Sequence, residues 1–229
     1  FIIPRAQHGI SRQNISTNAL KVLSRLSYAK HDAFIVGGGV RDLLLGIIPK
    51  DFDIATDAKP NQVKDLFRNC RLIGKRFRLA HVHFGREILE VATFRGSEGN
   101  KETQQTHASG MIKRDNAYGT FEEDVWRRDI TINALYYRLQ DSSVIDYTGG
   151  MADIKQRRLR MIGDPRQRFH EDPVRLLRAI RMAAKLDLTI EKETNKQLLQ
   201  LPSLLQHVVP ARLFDEIGKL FFMFYLRSF

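Results

Sequence analysis

Residue patterning points to an α+β protein, with helix and strand mixed over residues 1–150 and helices alone over residues 151–229. Three observations carry this reading. A short apolar run, AFIV, passes through three glycines into a helical pattern. Two β-rich runs, residues 71–85 and 87–96, are joined by a glycine turn. After Pro165 the apolar residues recur at helical spacing to the end of the chain.

Taken in order, Ile15, Ala19, Val22, Leu23 and Leu26 predict a helix over residues 14–30. AFIVGGGVRDLLLG reads as strand, turn and helix, and DFDIAT as a second strand. Pro60 opens a helix that runs to Phe67, because proline suits a first helical turn. Residues 96–120, rich in Ser, Gly, Thr, Gln and Asn, read as a mobile loop. The helical pattern resumes from Glu122 to Leu135. VIDYTGGMADI crosses a Gly149–Gly150 break that predicts a flexible joint near residue 150, and helices open at Pro173, Ile190 and Pro210.

The formal net charge is +11, and Lys and Arg recur along the whole chain. Such a field favours polyanions, nucleic acid above all. The single cysteine, Cys70, excludes an internal disulfide and a Cys-rich zinc site and suits a reducing cytoplasm. The opening FIIPRAQHGISR lacks the pattern of a secretory signal. The apolar cluster at residues 220–226 is far too short to span a bilayer, so no membrane partner is expected.

Asp51 and Asp53 are the most informative residues. Two apart on a strand, they project from one face and can share divalent cations. Mg²⁺ prefers such oxygen ligands and holds substrate phosphates beside them. A DxD alone also describes a strand end facing water. Upstream, however, Gly37, Gly38 and Gly39 allow close backbone approach to a phosphate, and Arg41 can add a charged contact. Together these residues describe a site for a triphosphate and a metal.

GGGVRDLLLGIIPKDFDIAT, residues 37–56, resembles the first signature of the class II nucleotidyltransferases, the bacterial CCA-adding enzymes and poly(A) polymerases of the polymerase-β-like superfamily. The resemblance runs over about residues 14–220. It implies a nucleotidyltransferase head with a small mixed or antiparallel sheet over 1–150 and an all-helical neck over 151–229. Relatives continue well beyond residue 229, so it also implies a chain shortened at its C-terminus.

RRDITINALYY, residues 127–137, resembles the second signature. The resemblance implies Asp129 as a third active-site acid, with Arg128 and Asn133 on the nucleotide. Glu90, alternating with apolar neighbours in EILEVATFR, is a rival third acid. Arg95, at the end of that run, is a further candidate for the triphosphate. HEDPVRLLRAIRMAAKL carries Asp172, Arg175, Arg178 and Arg181 at intervals of three, a basic stripe opposite an apolar side of Val174, Leu177, Ile180 and Ala184. Asp172 before Pro173 fits a helix cap, and the arginines fit a solvated face. The stretch also resembles the family's EDxxRxxR motif, which implies that Asp172 and Arg175 read the base and that Arg178 and Arg181 serve the nucleotide.

These motifs are common to both activities. LIGKRFRLAHV, residues 72–82, resembles the segment that marks bacterial poly(A) polymerases, with Gly74, Lys75, Arg76, Phe77, Arg78 and His81 in place. His81 and His83 share a face, but no further Cys or His lies nearby to complete a zinc site. The resemblance thus implies transfer of AMP from ATP to RNA 3′ ends with Mg²⁺. CCA addition to tRNA and RNA binding without catalysis stand as alternatives.

Overall fold

The computed structural model describes residues 1–74, 78–96, 105–106, 112–114 and 118–227, with side chains described outside the 97–117 stretch and up to Phe222. Lys75, Arg76 and Phe77 of the specificity segment and most of the expected 96–120 loop therefore lie outside the described residues.

The fold is α+β, built on one eight-stranded sheet in the order β1-β10-β9-β2-β3-β6-β5-β4. The strands are β1 (Ile2–Ile3), β2 (Ala33–Val36), β3 (Asp53–Thr56), β4 (Cys70–Ile73), β5 (Leu79–Phe84), β6 (Glu87–Thr93), β9 (Leu135–Arg138) and β10 (Ser143–Asp146). A separate short pair joins β7 (Gln105–Thr106) to β8 (Ile112–Arg114). The β3–β6 pair is parallel and the other neighbours are antiparallel. The sheet is thus mixed, as expected, but larger than the small one anticipated. Ile2 and Ile3 add an edge strand. Residues 71–85 split into β4 and β5 because Gly74 takes a positive φ of 95° and interrupts the run.

One sheet face is covered by α1 (Thr17–Tyr28), α2 (Gly38–Leu44) and α3 (Pro60–Leu66). Ser16 caps α1, accepting from the amides of Asn18 and Ala19. Ile15, Ala19, Val22, Leu23 and Leu26 are all buried, the face that their spacing predicts. They pack with Ile35, Ile54, Leu89, Val91 and Tyr137. Truncating one of these, such as Leu23→Ala, removes about 2–5 kcal/mol. The opposite face carries a second cluster of Phe34, Val36, Ala55, Phe94, Val125 and Tyr136, with Phe121 against it. It packs beneath α4 (Phe121–Trp126).

The segment 122–135 is not one helix. α4 ends at Trp126, Thr131–Asn133 form a single 3₁₀ turn, and β9 begins at Leu135. Tertiary pairing overrides helical periodicity here: Ile130 bridges Met161, and Tyr136 and Tyr137 enter the sheet.

The remainder comprises α5 (Gly150–Lys155), β11 (Arg158–Leu159), α6 (Pro165–Glu171), α7 (Val174–Leu186), β12 (Thr189–Ile190), α8 (Lys192–Gln200) and α9 (Pro210–Arg227). The parallel β11–β12 pair interrupts the expected all-helical run. The Gly149–Gly150 joint is held tightly rather than left loose. One Asp146 carboxylate accepts from the amides of Thr148, Gly149, Gly150 and Met151, and a Cβ on Gly150 would lie 2.4 Å from the Thr131 carbonyl oxygen. The main buried cluster runs from Ile10 to Leu188, so α6 and α7 share it with the sheet.

Helix α7 is rotated from its expected phase. Its buried residues are Val174, Leu176, Ala179, Met182, Ala183 and Leu186, whereas Ile180 is exposed and Leu177 half-buried. The α7 N-terminus also starts one residue later than expected, with Pro173 at the cap position. Among the described residues no helix is long and apolar enough to cross a membrane.

Candidate active site

The site assembles around Gly37, which ends β2 with φ 72° and ψ −133°, a conformation open essentially to glycine alone. A Cβ placed there would lie 3.9 Å from Asp53 Oδ2, 3.8 Å from Arg128 Nη1 and 4.0 Å from the Asn133 carbonyl oxygen. Three segments far apart in sequence thus converge on one backbone position. Gly39 packs as closely, its Cβ direction 3.3 Å from the Asp51 carbonyl oxygen.

Asp53 is the first residue of β3, so Asp51 lies before the ladder and does not share a strand face with it by sheet geometry. The alternation persists nonetheless: Phe52 is buried while Asp51 and Asp53 are exposed. Across the parallel pair, Asp53 stands in register with Glu90. Although Asp53 keeps solvent-exposed surface as a residue, the protein atoms packed around its carboxyl desolvate it and raise its pKa to about 6, with the Glu90 charge adding, Arg128 opposing and Asp51 adding again. On the far side of Glu90, His81 Nε2 lies 3.6 Å from its Oε1.

Arg41 is 4 % exposed and its guanidinium is already engaged. Nε and Nη2 donate to Asp42 Oδ1, and Nη1 donates to Asn133 Oδ1 at 2.7 Å. It ties α2 to the Thr131–Asn133 turn rather than standing open to a phosphate. Arg128 is held by residues that sequence reasoning missed. Its Nη2 donates to Asp124 Oδ2 at 2.9 Å and its Nε to the Tyr136 hydroxyl at 2.6 Å. The Tyr136 hydroxyl donates in turn to Asp124. A signal for Asp124 existed: Thr120 and Glu123 form a capping box that starts α4 at Phe121 and sets Asp124 four residues before Arg128. The Arg95 amide also donates to Asp124 Oδ1.

Asp129, the implied third acid, is engaged by α7. Arg178 Nε donates to its Oδ2 at 2.8 Å, and its own Oδ1 accepts from the Ile130 amide. Burial would raise its pKa, but Arg178, then Arg175 and the Ile130 amide, hold it below the usual carboxylate range. Asp129 lines a cleft of about 440 Å³ together with Arg128, Asp172, Arg175, Arg178 and Arg212. The expected basic stripe of α7 is neutralised there. Arg175 pairs with Glu171 at 3.0 Å, Arg178 with Asp129 at 2.7 Å and Arg181 with Glu216 at 2.8 Å. Asp172 Oδ1 accepts from the Val174 amide at 3.3 Å, a cap-like bond, and Oδ2 pairs with Arg212 of α9 at 2.9 Å. The sequence motifs therefore resolve into two adjoining groups, the Gly37–Asp53–Glu90 mouth and the α7–α9 cleft, with Arg128 common to both.

Among the described residues no three His, Cys or acidic side chains converge closely enough to hold a metal ion by themselves. Asp53 with Glu90 still suits Mg²⁺, which commonly takes one or two carboxylates and completes its sphere with water and substrate phosphates. Burial first, and then the Glu90 and Asp51 charges, raise the proton affinity of Asp53, and a cation bound beside the carboxylate would offset both.

The chain also resembles known proteins over most of its length. A family model described as the poly A polymerase head domain matches residues 33–160. A second, described as the probable RNA and SrmB-binding site of polymerase A, matches residues 187–226. The chain is 58 % identical to the poly(A) polymerase I of Salmonella typhi, over 96 % of this chain and 48 % of that protein. It is 38 % identical to the CCA-adding enzyme of Bacillus subtilis, over 91 % of this chain and 51 % of that protein. The structure of the Bacillus stearothermophilus CCA-adding enzyme in complex with CTP aligns with a TM-score of 0.75 at 33 % identity, covering 88 % of this chain and 47 % of that one. The chain thus spans about half the length of the curated relatives it matches. With a head-domain match running from β2 through the Arg128–Asn133 segment to β11, the chain belongs to the poly A polymerase head-domain family.

Proposed function

We propose that the protein is a template-independent poly(A) polymerase that transfers AMP from ATP to RNA 3′ ends, releasing pyrophosphate. The observation that carries this reading is the meeting of Gly37, Asp53 and Arg128, with Glu90 on the adjoining strand. Identity of 58 % to a poly(A) polymerase against 38 % to a CCA-adding enzyme supports the adenylate activity. So does the segment around Gly74, Arg78 and His81.

Asp51, Asp53 and Glu90 are the residues that would hold one or two Mg²⁺ ions. Bound there, Mg²⁺ supplies charge neutralisation at the triphosphate and activation of the attacking hydroxyl. The chain's own residues do the positioning. The Gly37–Gly38 turn admits the triphosphate to within contact of the backbone. Arg128, fixed by Asp124 and Tyr136, aims planar donors at phosphate oxygens without losing side-chain entropy on binding. Arg41 and Asn133 brace that turn. In the adjoining cleft Asp172 offers an acceptor for the adenine amino group, and Arg175 a donor for ring nitrogen N1. Arg178 and Asp129 build the wall against which the base lies, and Arg181 stands behind it, paired with the lining residue Glu216. Asp129 acts through Arg178, and Glu90 takes the place of the third acid.

Residues 1–150 form the catalytic head and 151–229 the neck on this reading. ATP and RNA as substrates place the work in the cytoplasm. The test incubates the 229-residue chain with Mg²⁺, a short RNA or a tRNA lacking its CCA end, and ATP or CTP. Long A-only tails are expected. CTP-dependent addition of a fixed end would instead establish CCA addition, and RNA binding without incorporation would establish a binding module.

A further inference from the structure

Among the described residues, no hydrophobic cluster covers the outer half of the sheet face that bears Asp53 and Glu90. At its β2–β9 half, Phe34, Val36 and Tyr136 pack beneath α4. At its other half the face is partly open: Ile88 is 47 % exposed, Ile73 46 % and the Glu90 side chain 49 %, Arg71 is exposed, and His81 between them keeps 20 % of its side chain in solvent. Register fixes one rung across four strands. Asp53 of β3 faces Glu90 of β6, Glu90 faces His81 of β5, and His81 faces Arg71 of edge strand β4. Side chains on one rung share a face. The rung therefore runs from two carboxylates, through an imidazole, to a guanidinium. Neighbouring strands lie about 4.8 Å apart, so Arg71 sits about 14 Å from Asp53. Ile88 and Ile73 flank the rung on the same face, two residues from Glu90 and Arg71.

We infer that this open face is the docking track for the last nucleotides of a single-stranded RNA, its 3′ end at Asp53–Glu90 and its backbone leaving over His81 towards Arg71. Two features select RNA as occupant. The track is continuous with the acids to which the 3′-hydroxyl must come, so this inference rests on the proposed polymerase reading. Its sign also changes from acidic at the chemistry to basic at the edge, which orients a polyanion with only its terminus among the carboxylates. The solvent-facing part of the His81 ring, 20 % exposed as a side chain, together with the exposed aliphatic side chains beside it gives bases a surface to stack on, while Arg71 takes a phosphate.

Direct binding tests this apart from catalysis. The 229-residue chain, Arg71→Glu, His81→Ala and His81→Phe are titrated with fluorescent oligo(A) of two and of eight nucleotides across a salt series. Circular dichroism verifies each fold. Arg71→Glu is expected to weaken the octamer on the order of tenfold, more than the dimer, and to lower the salt slope by about 0.7 or more. His81→Ala is expected to weaken the octamer about fivefold or more, and His81→Phe to recover most of that. Equal octamer affinity for wild type and Arg71→Glu, or no octamer binding by wild type, overturns the track. Weakened binding by the variants with no AMP incorporation by wild type keeps the track and overturns only the polymerase reading.

Discussion

Asp53 and Glu90 occupy one rung of the parallel β3–β6 ladder, where two like charges stand side by side. Such a pair destabilises the folded state unless a cation lies with it. In metal-free buffer, Glu90→Gln is therefore expected to stabilise the fold by about 0.5 kcal/mol. Added Mg²⁺ is expected to raise the melting temperature of wild type more than that of the variant. In the transfer assay Asp53→Asn is expected to lose about a thousandfold or more, since it removes a ligand acting in the transition state. Differential scanning fluorimetry with and without Mg²⁺, beside a primer-extension assay, reads all three. Glu90→Gln with full activity and an unaltered response to Mg²⁺ would return the third-acid role to Asp129.

Arg128 depends on Asp124 for its charge balance. Burial would raise the Asp124 pKa, but Arg128, the Tyr136 hydroxyl and the Arg95 amide outweigh it and hold the carboxyl below its ordinary value. A carboxyl with a depressed native pKa contributes stability that is present above the unfolded value and lost as pH falls through the native one. Wild type is accordingly expected to lose stability as pH drops below about 4. Asp124→Asn strands the Arg128 charge and is expected to cost about 3 kcal/mol at pH 7. It should also flatten that acid limb. Urea titrations from pH 3 to pH 7 on both proteins measure the two slopes.

The local parts of the site were legible because their signals are local. A glycine turn between a strand and a helix, and alternate acids about a buried Phe52, can be read within twenty residues. What depends on which strands pair cannot be. Glu90 becomes the neighbour of Asp53 only through the β3–β6 register, and nothing in EILEVATFR states that partner. Arg41 looked like a phosphate ligand because Asn133, its hydrogen-bond partner, lies 92 residues away. The phase of α7 was misjudged because Val174, Leu177 and Ile180 make an apolar line as good as the true one of Leu176, Ala179, Met182 and Ala183. Contacts with β11 and α6, not periodicity, choose between them.

The α7–α9 cleft makes a prediction about selectivity. Asp172 is held between the Val174 amide and Arg212, with its outer edge lining the cleft. If it reads the adenine amino group, Asp172→Ala removes one hydrogen bond made to ATP. That is worth about 1–3 kcal/mol, or about 5–150-fold in kcat/KM. The ratio of ATP to CTP incorporation is expected to fall by that factor while RNA affinity holds. Arg212→Ala, which frees Asp172 to reorient, is expected to lower the same ratio by a smaller factor. Single-nucleotide incorporation with each NTP in turn gives the ratios, and an unchanged ratio in Asp172→Ala removes that residue from base reading.

Gly150 tests whether the turn near residue 150 is a rigid brace. Its Cβ direction ends 2.4 Å from the Thr131 oxygen and 2.9 Å from the Thr131 carbonyl carbon, backbone atoms that cannot step aside as a side chain would. Thr131 is itself anchored, its hydroxyl donating to Asp153, which also pairs with Arg158 and Arg160. Gly150→Ala must therefore displace α5 from the Thr131–Asn133 turn, at a cost of about 2–4 kcal/mol. For a chain of this length that is about 4–15 °C in melting temperature. Asn133 lies in the same turn and braces Arg41, so the displacement should also reach the Gly37 site and raise KM for ATP. Gly46→Ala is the control. Gly46 also has a positive φ, of 72°, but no atom within 4 Å of its Cβ direction. It is expected to cost only the backbone strain of about 1–2 kcal/mol and to leave KM for ATP as in wild type. A flexible joint at residue 150 would instead absorb the methyl, and Gly150→Ala would then melt no lower than the control.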